Sequence, residues 1–274
     1  MVSIEYFIFV CIGVQNIMNY SEMNTKQLES YFKALDMEAL KTELDVMSGD
    51  PRASVQKLIM KYRKKVEKYN KEIERIQSMW KYENELYQRG MKFVAGVDEA
   101  GRGPLAGPVY AAAVILPANA YIEGINDSKK LSEHKREELY NMITEKALAY
   151  SIASISEQEI DEINIRNAAY KAMVKAVQSL SISPEHVLID GDAVKGMPKP
   201  YTCIVHGDSL SISIAAASIL AKVSRDRYIQ QMDERYPGYG FAQHKGYGTK
   251  EHIEAIKKYG ICPIHRKSFT SKFI

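Results

Sequence analysis

Asp98 and Glu99 close an apolar run, Phe93-Val94-Ala95-Gly96-Val97, and are followed at once by Gly101-Arg102-Gly103-Pro104-Leu105-Ala106-Gly107-Pro108. Consecutive strand residues point to opposite faces, and a carboxylate is costly to bury without a partner. The pair therefore calls for metal on one side, a partner on the other, or exposure at a strand end. The glycines let the backbone approach a ligand closely, and Arg102 between two of them offers a forked donor suited to phosphate oxygens. Divalent metal between carboxylates and phosphate is the chemistry that joins these features. A dinucleotide clamp does not fit. Its third glycine falls one place late, at Gly107, and Val109 to Leu116 reads as a second buried strand where that motif needs a helix.

Two further acids stand in similar settings. His186-Val187-Leu188-Ile189-Asp190-Gly191-Asp192 is a short apolar strand ending in acid, and Thr202-Cys203-Ile204-Val205-His206-Gly207-Asp208-Ser209 repeats the design. Asp208 also reads as the cap of the helix that follows, since Asp and Ser are preferred at that place. Acids recurring at the ends of apolar strands can converge at one sheet edge, and clustered carboxylates stay ionised only with cations among them. An all-oxygen ligand set selects hard ions, magnesium or manganese.

These acids need a sheet to gather them. Strands are expected near residues 92–98, 107–116, 147–155, 186–190 and 201–205, and helices near 132–146, 157–180, 209–233 and 249–258. The class is α/β, a five-stranded mixed sheet flanked by helices with the acids near one edge. The small residues after Ser209 (Ile214-Ala-Ala-Ala-Ser-Ile-Leu-Ala) suit close packing of that helix on the sheet. Residues 24–90 read as a separate small all-helical domain, with short helices at Lys26–Leu35 and Met37–Val46 and a long one after Asp50-Pro51. Along it Leu58, Tyr62, Val66, Tyr69, Ile73, Ile76 and Trp80 keep helical spacing, and Lys57, Lys61, Lys64, Lys68, Lys71 and Arg75 fall on a neighbouring stripe. That stripe reads equally as a duplex-binding face and as a solvated face partly paired with Glu67, Glu72 and Glu74.

The motifs then resemble bacterial ribonuclease HII in order from about residue 92 to 269. The strings that carry the likeness are Val97-Asp98-Glu99-Ala100-Gly101-Arg102-Gly103-Pro104, Asp127-Ser128-Lys129-Lys130-Leu131-Ser132, Ile189-Asp190-Gly191, Gly207-Asp208-Ser209 through Asp226, His244-Lys245-Gly246-Tyr247-Gly248-Thr249 and His265-Arg266-Lys267-Ser268-Phe269. The resemblance implies an RNase H-like fold in residues 91–274 and metal-dependent cutting of RNA within RNA–DNA hybrids and at single ribonucleotides embedded in duplex DNA. It places the four acidic metal-site residues at Asp98, Glu99, Asp190 and Asp208, with two Mg2+ or Mn2+ ions during catalysis. It places the glycine-arginine-glycine loop at Gly101, Arg102 and Gly103, and the junction-sensing tyrosine at Tyr247. Tyr247 lies between two glycines and on its own reads equally as a residue packed beside a turn. Lys129, Lys222 and Arg225 are phosphate neighbours in this reading, or ordinary solvated charges. The family usually carries lysine where this chain has His206, so an imidazole stands in place of a fixed positive charge. Hybrid cleavage without junction reading, as in ribonuclease HIII, and a catalytically silent hybrid binder are the alternatives. The glycine-arginine-glycine loop with Tyr247 argues against the first, the intact acids against the second.

Composition sets limits. At 274 residues, 46% hydrophobic and 26% charged, the chain has room for one large or two unequal globular domains. A net charge of +3 leaves nucleic-acid binding to local patches. Cys11, Cys203 and Cys262 lack metal-ligand spacing and read as reduced thiols of a cytoplasmic protein, expected to be a monomer. The apolar segment Ile4 to Val14 is short of the roughly 20 residues that span a bilayer and lacks a basic leader, so residues 1–23 read as an upstream start, with no membrane role.

Overall fold

The computed structural model describes residues 20–274; the apolar segment Ile4 to Val14 and Cys11 lie outside them. Packing divides the chain inside one long helix, between Ile73 and Glu74.

In the first unit α1 (Thr25–Ala34) starts in a capping box, with Asn24 accepting from the Gln27 backbone and Gln27 accepting from that of Asn24. Asp36 caps α2 (Met37–Val46) through the Ala39 amide. Both pack on the start of α3 (Ala53–Met79), burying Leu28, Phe32, Leu40, Leu44, Val55, Ile59 and Tyr62 together. Lys57, Lys61, Lys64, Lys68 and Lys71 are exposed along α3. Lys61 pairs with Glu29 at 2.7 Å and Lys71 with Glu67 at 2.5 Å. Arg75 leaves the stripe, its guanidinium donating to the Ile125 carbonyl at 2.7 Å.

The second unit holds a five-stranded sheet of β1 (Val94–Ala100), β2 (Val109–Ile115), β3 (Ala149–Ile155), β4 (His186–Asp190) and β5 (Tyr201–Ile204), in the order β3-β2-β1-β4-β5. β1 runs antiparallel to β2 and parallel to β4, so the carboxyl ends of β1 and β4 lie side by side. One face buries Val97, Ala111, Ala113, Val187 and Ile189 against α7 (Ile165–Gln178), which follows the short α6 (Glu157–Ile163). The other carries α9 (Ile212–Arg235), with α5 (Glu133–Lys146) beside it and α8 (Gly207–Leu210) leading into it. α10 (Phe241–His244), α11 (Lys250–Tyr259) and α12 (Lys267–Thr270) finish the chain.

Residues 74–88 sit in this second core, although the spacing of the chain groups them with the helical region before it. Ile76, Met79 and Trp80 pack with Ala112, Val114 and Ile219. α4 (Lys81–Gln88) sends Leu86 against Leu188 and Ile214 and buries Glu83 completely. Glu83 accepts from the Ser211 hydroxyl at 2.6 Å and the Ser213 amide at 3.0 Å, capping α9 from a distant part of the chain. Two expected helices are broken: the one over 157–180 at Asn164, whose φ is 64°, and the one over 209–233 at Ser211, which accepts from the Ile214 amide and starts α9 afresh. Among the described residues no helix is long and apolar enough to cross a membrane.

Candidate active site

Alternation along the strands decides which acids meet. Val97 and Ile189 are buried against α7, so Asp98 and Asp190 project from the opposite face, the one covered by α9. Asp208 arrives there on α8, held in place because Asp190 Oδ1 accepts from the Gly207 amide at 2.6 Å. One carboxylate oxygen from each of Asp98, Asp190 and Asp208 lies within 4.8 Å of the others. Asp98 and Asp208 are buried and Asp190 half-buried. Glu99, with the parity of Val97, stands outside that trio; its Oε1 receives Arg102 Nη1 at 3.3 Å.

Charge repulsion is written into the site. Burial, then the charges of Glu99 and Asp190, hold the Asp98 carboxyl well above its ordinary range against the Ser218 hydroxyl. Burial also raises Glu99, opposed by Arg102. Asp208 is raised by burial and by the charges of Asp127 and Asp190. Asp127, at the head of the Asp127-Ser128-Lys129-Lys130 motif, is thus a further acid near the trio, and no role was assigned to it from the sequence. Lys129 comes to 3.8 Å from Asp208 Oδ2. Burial works to lower its pKa, but Asp208, Asp98, Asp127 and Asp190 outweigh that and keep it charged.

Beside the acids a cleft of about 250 Å³ is lined by Glu99, Gly101, Arg102, Gly103, Lys129, Lys222 and Tyr247. Tyr247 is 44% exposed, and its ring passes close to Gly103. Gly101 has φ +98°, and any Cβ there would meet Arg225 Nε at 2.2 Å, so glycine is required for both conformation and space. Lys222 is tied to Asp226 at 2.8 Å. Arg225 departs from the expectation of a phosphate neighbour. It is fully buried, donating through Nη2 to the Ala106 and Lys245 carbonyls at 3.2 and 3.1 Å, so it joins two loops where no phosphate reaches it. His206 is exposed at φ 58°, immediately before α8.

Sequence reasoning also gave no role to Arg266. It is fully buried, and its guanidinium donates to the carbonyls of Gly101 (2.6 Å), Arg102 (2.9 Å), Pro104 (2.8 Å) and Gly107 (2.9 Å). Burial draws its pKa down to about 9, which leaves it charged at neutral pH. Four carbonyls of one loop on a single rigid fork define that loop's shape.

The family model for ribonuclease HII matches residues 95–272, and the model for the ribonuclease HII N-terminal domain matches residues 24–87. The chain belongs to the ribonuclease HII family. Ribonuclease HII of Acetivibrio thermocellus is 54% identical over 252 residues, covering 92% of this chain and 98% of that one. Ribonuclease HII of Clostridioides difficile is 49% identical over 253 residues, covering 92% and 99%. The crystal structure of ribonuclease H2 from Pyrococcus horikoshii superposes with a TM-score of 0.58 at 29% identity, covering 66% of this chain and 96% of that one. Membership makes this chain a ribonuclease H endonuclease.

For this ribonuclease HII family member the raised acids carry a sign. A carboxyl whose folded pKa exceeds its ordinary value of 3.8, as at Asp98, adds stability below that value and loses it as pH rises through the folded one. At pH 7 without divalent ions the cluster therefore costs stability. Asp98→Asn is expected to raise the thermal midpoint in EDTA by about 2–4 °C for each kcal/mol of repulsion removed. Adding Mg2+ should raise the midpoint of the unsubstituted protein more than that of the variant. Differential scanning fluorimetry checks both, and equal Mg2+ shifts in the two proteins would contradict the assignment.

Proposed function

We propose that this protein hydrolyses the RNA strand of RNA–DNA hybrids and cuts at single ribonucleotides embedded in duplex DNA, leaving 3′-hydroxyl and 5′-phosphate ends. Asp98, Asp190 and Asp208 converging beside the Gly101–Gly103 loop and Tyr247 is the observation that carries this reading. Crowded carboxylates, of which Asp98 and Asp208 are held above their ordinary range by burial and neighbouring charge, are a donor set that fits hard divalent ions, Mg2+ or Mn2+. Asp98, Asp190 and Asp208 would hold such ions, with Glu99 completing the donor set. Two such ions, when bound, stabilise negative charge on the attacking water and on the departing sugar oxygen.

The chain's own residues supply the selection. Phosphates are alike in RNA and DNA, so the 2′-hydroxyl must be read. The backbone of Gly101, Arg102 and Gly103 faces the cleft, with its shape held from beneath by Arg266. Arg102 and Lys129 bring positive charge to the cleft wall for phosphate oxygens, and Lys222 adds to it. The Tyr247 phenol stacks on a sugar and donates its hydroxyl. The exposed lysines of α3 in the first unit are read as a further duplex-binding face. Removal of misplaced ribonucleotides during DNA replication and repair follows as the cellular role.

Tyr247→Phe tests the selective part. Cleavage of a duplex with one ribonucleotide is expected to fall about fivefold, since a hydrogen bond of about 1 kcal/mol is lost, with a smaller loss on a long hybrid. Initial rates on the two labelled substrates read the ratio, and equal losses would remove Tyr247 from ribose recognition.

A further inference from the structure

Tyr247 stands between α10 and α11, and the backbone around it is held by buried imidazoles. Its amide donates to the His244 carbonyl at 3.0 Å, and its own carbonyl faces His252 Nδ1 at 2.8 Å. His252 is fully buried and His265 is 3% exposed, and their Nε2 atoms are 3.1 Å apart. On its far side His265 Nδ1 faces the Cys262 amide nitrogen at 2.9 Å, with the Cys262 thiol at 3.1 Å and a longer approach to the Cys262 carbonyl at 3.3 Å.

Donor and acceptor rules leave one arrangement that satisfies every contact of 3.1 Å or less, with the 3.3 Å approach to the Cys262 carbonyl given up to the shorter bond from the Cys262 amide. A carbonyl only accepts, so His252 Nδ1 carries a proton; a backbone amide only donates, so His265 Nδ1 does not. In neutral rings His252 Nε2 is then bare and His265 Nε2 protonated, which makes the Nε2–Nε2 contact a single hydrogen bond from His265 to His252. A second proton on either ring would break a bond in this chain: on His252 or His265 it would set a donor against a donor. Burial acts the same way, pushing both imidazoles down to about 4. A third ring supports the arrangement: His244 stacks on His252 with centroids 4.3 Å apart and 17° between planes. His244 Nε2 meets the Tyr239 carbonyl at 2.8 Å, and its Nδ1 accepts from the Gly246 amide at 3.2 Å.

We infer that His252 and His265 are positioning residues, a neutral relay running from the Cys262 amide through His265 Nε2–H and His252 Nδ1–H to the Tyr247 carbonyl, which fixes where the tyrosine ring meets substrate. The inference rests on the proposed reading of Tyr247 and adds the device that aims it. A tyrosine between two glycines has a backbone free to bend, and this buried relay removes that freedom while the ring stays at the cleft. Neither histidine touches substrate, so each acts through Tyr247.

The test has two arms. Nitrogen-15 NMR of the histidine rings in the unaltered full chain at pH 7, assigned with His252→Asn, is expected to show His252 protonated at Nδ1 alone and His265 at Nε2 alone. The same tautomer in both rings, or an imidazolium in either, overturns the relay whatever the variants do. In the kinetic arm His252→Asn keeps an N–H close to the Nδ1 position, whereas His252→Leu keeps none. His252→Leu is expected to cut kcat/KM on a single-ribonucleotide duplex by up to about tenfold and on a long hybrid by less, with Asn restoring most of the loss. Equal losses on both substrates, or no rescue by Asn, overturn the positioning role. Tyr247→Phe assayed alongside separates the two readings. If it shows no substrate selectivity, the reading of Tyr247 fails and the positioning role with it. Selectivity in Tyr247→Phe but not in His252→Leu overturns the relay's role alone.

Discussion

Asp190→Asn is expected to lower kcat on an RNA–DNA hybrid by at least about 10²–10³-fold, the usual size when one electrostatic group of a preorganised site is removed. Duplex Kd should change by less than about tenfold, because the phosphate-facing surface is left in place. Asp190 lies at the centre of the arrangement. It is the parallel neighbour of the β1 end that carries Asp98, and its Oδ1 receives the Gly207 amide that sets Asp208 at 2.6 Å. Asparagine retains an oxygen for that amide and removes the charge, so the substitution probes cation binding more than folding. Single-turnover cleavage with fluorescence anisotropy for binding separates the two quantities. Full activity in this variant would contradict the site.

Gly96→Ala is expected to be the most damaging single methyl group in the sheet. A Cβ at Gly96 would lie 2.1 Å from Ser213 C, 2.3 Å from Ile214 N and 2.4 Å from Ser213 O, all backbone atoms of α9. None can rotate aside, so α9 must leave the sheet or β1 must bend. Asp98 lies two residues further along β1, and Asp208 sits on α8, which leads into α9, so either movement parts the acids. Overpacking of this kind costs about 1–3 kcal/mol or more, which lowers the thermal midpoint by about 2–4 °C per kcal/mol. Cleavage should fall with it, and the Mg2+-induced rise in midpoint should shrink. An unchanged midpoint would show that the strand and helix separate more readily than their contact implies.

Much of this was legible in the chain because the signals are local. A strand ending in acid is visible as an apolar run with a carboxylate after it, and β1, β4 and the segment from β5 into α8 all carry that signature. Alternation was legible too, and it accounts for Glu99 standing apart from Asp98. What stayed hidden depends on partners distant in sequence. Glu83 reads as an ordinary charge on a polar helix, yet its partner Ser211 lies 128 residues away. Arg266 reads as one more basic residue, and its role exists only once the Gly101–Gly107 carbonyls close around it, some 160 residues upstream. Arg225 looked available to phosphate because arginine is seldom buried. α9 is covered on several sides, and the charge is taken inside with loop carbonyls as partners. The break at Asn164 follows the same rule, tertiary context overriding a helical period that ran on without interruption. Residues 74–88 keep their helices, and only the partners of their apolar side chains, which lie in the sheet's core, could not be read from spacing.

The most direct test of the central claim is to incubate the protein with an end-labelled DNA duplex containing one ribonucleotide, with Mg2+ and with EDTA, and to map the ends. Cutting at the ribonucleotide in Mg2+ alone, leaving 3′-hydroxyl and 5′-phosphate termini, is the predicted result. Cutting that persists in EDTA, or an intact duplex in Mg2+ alongside an active long-hybrid control, would contradict it.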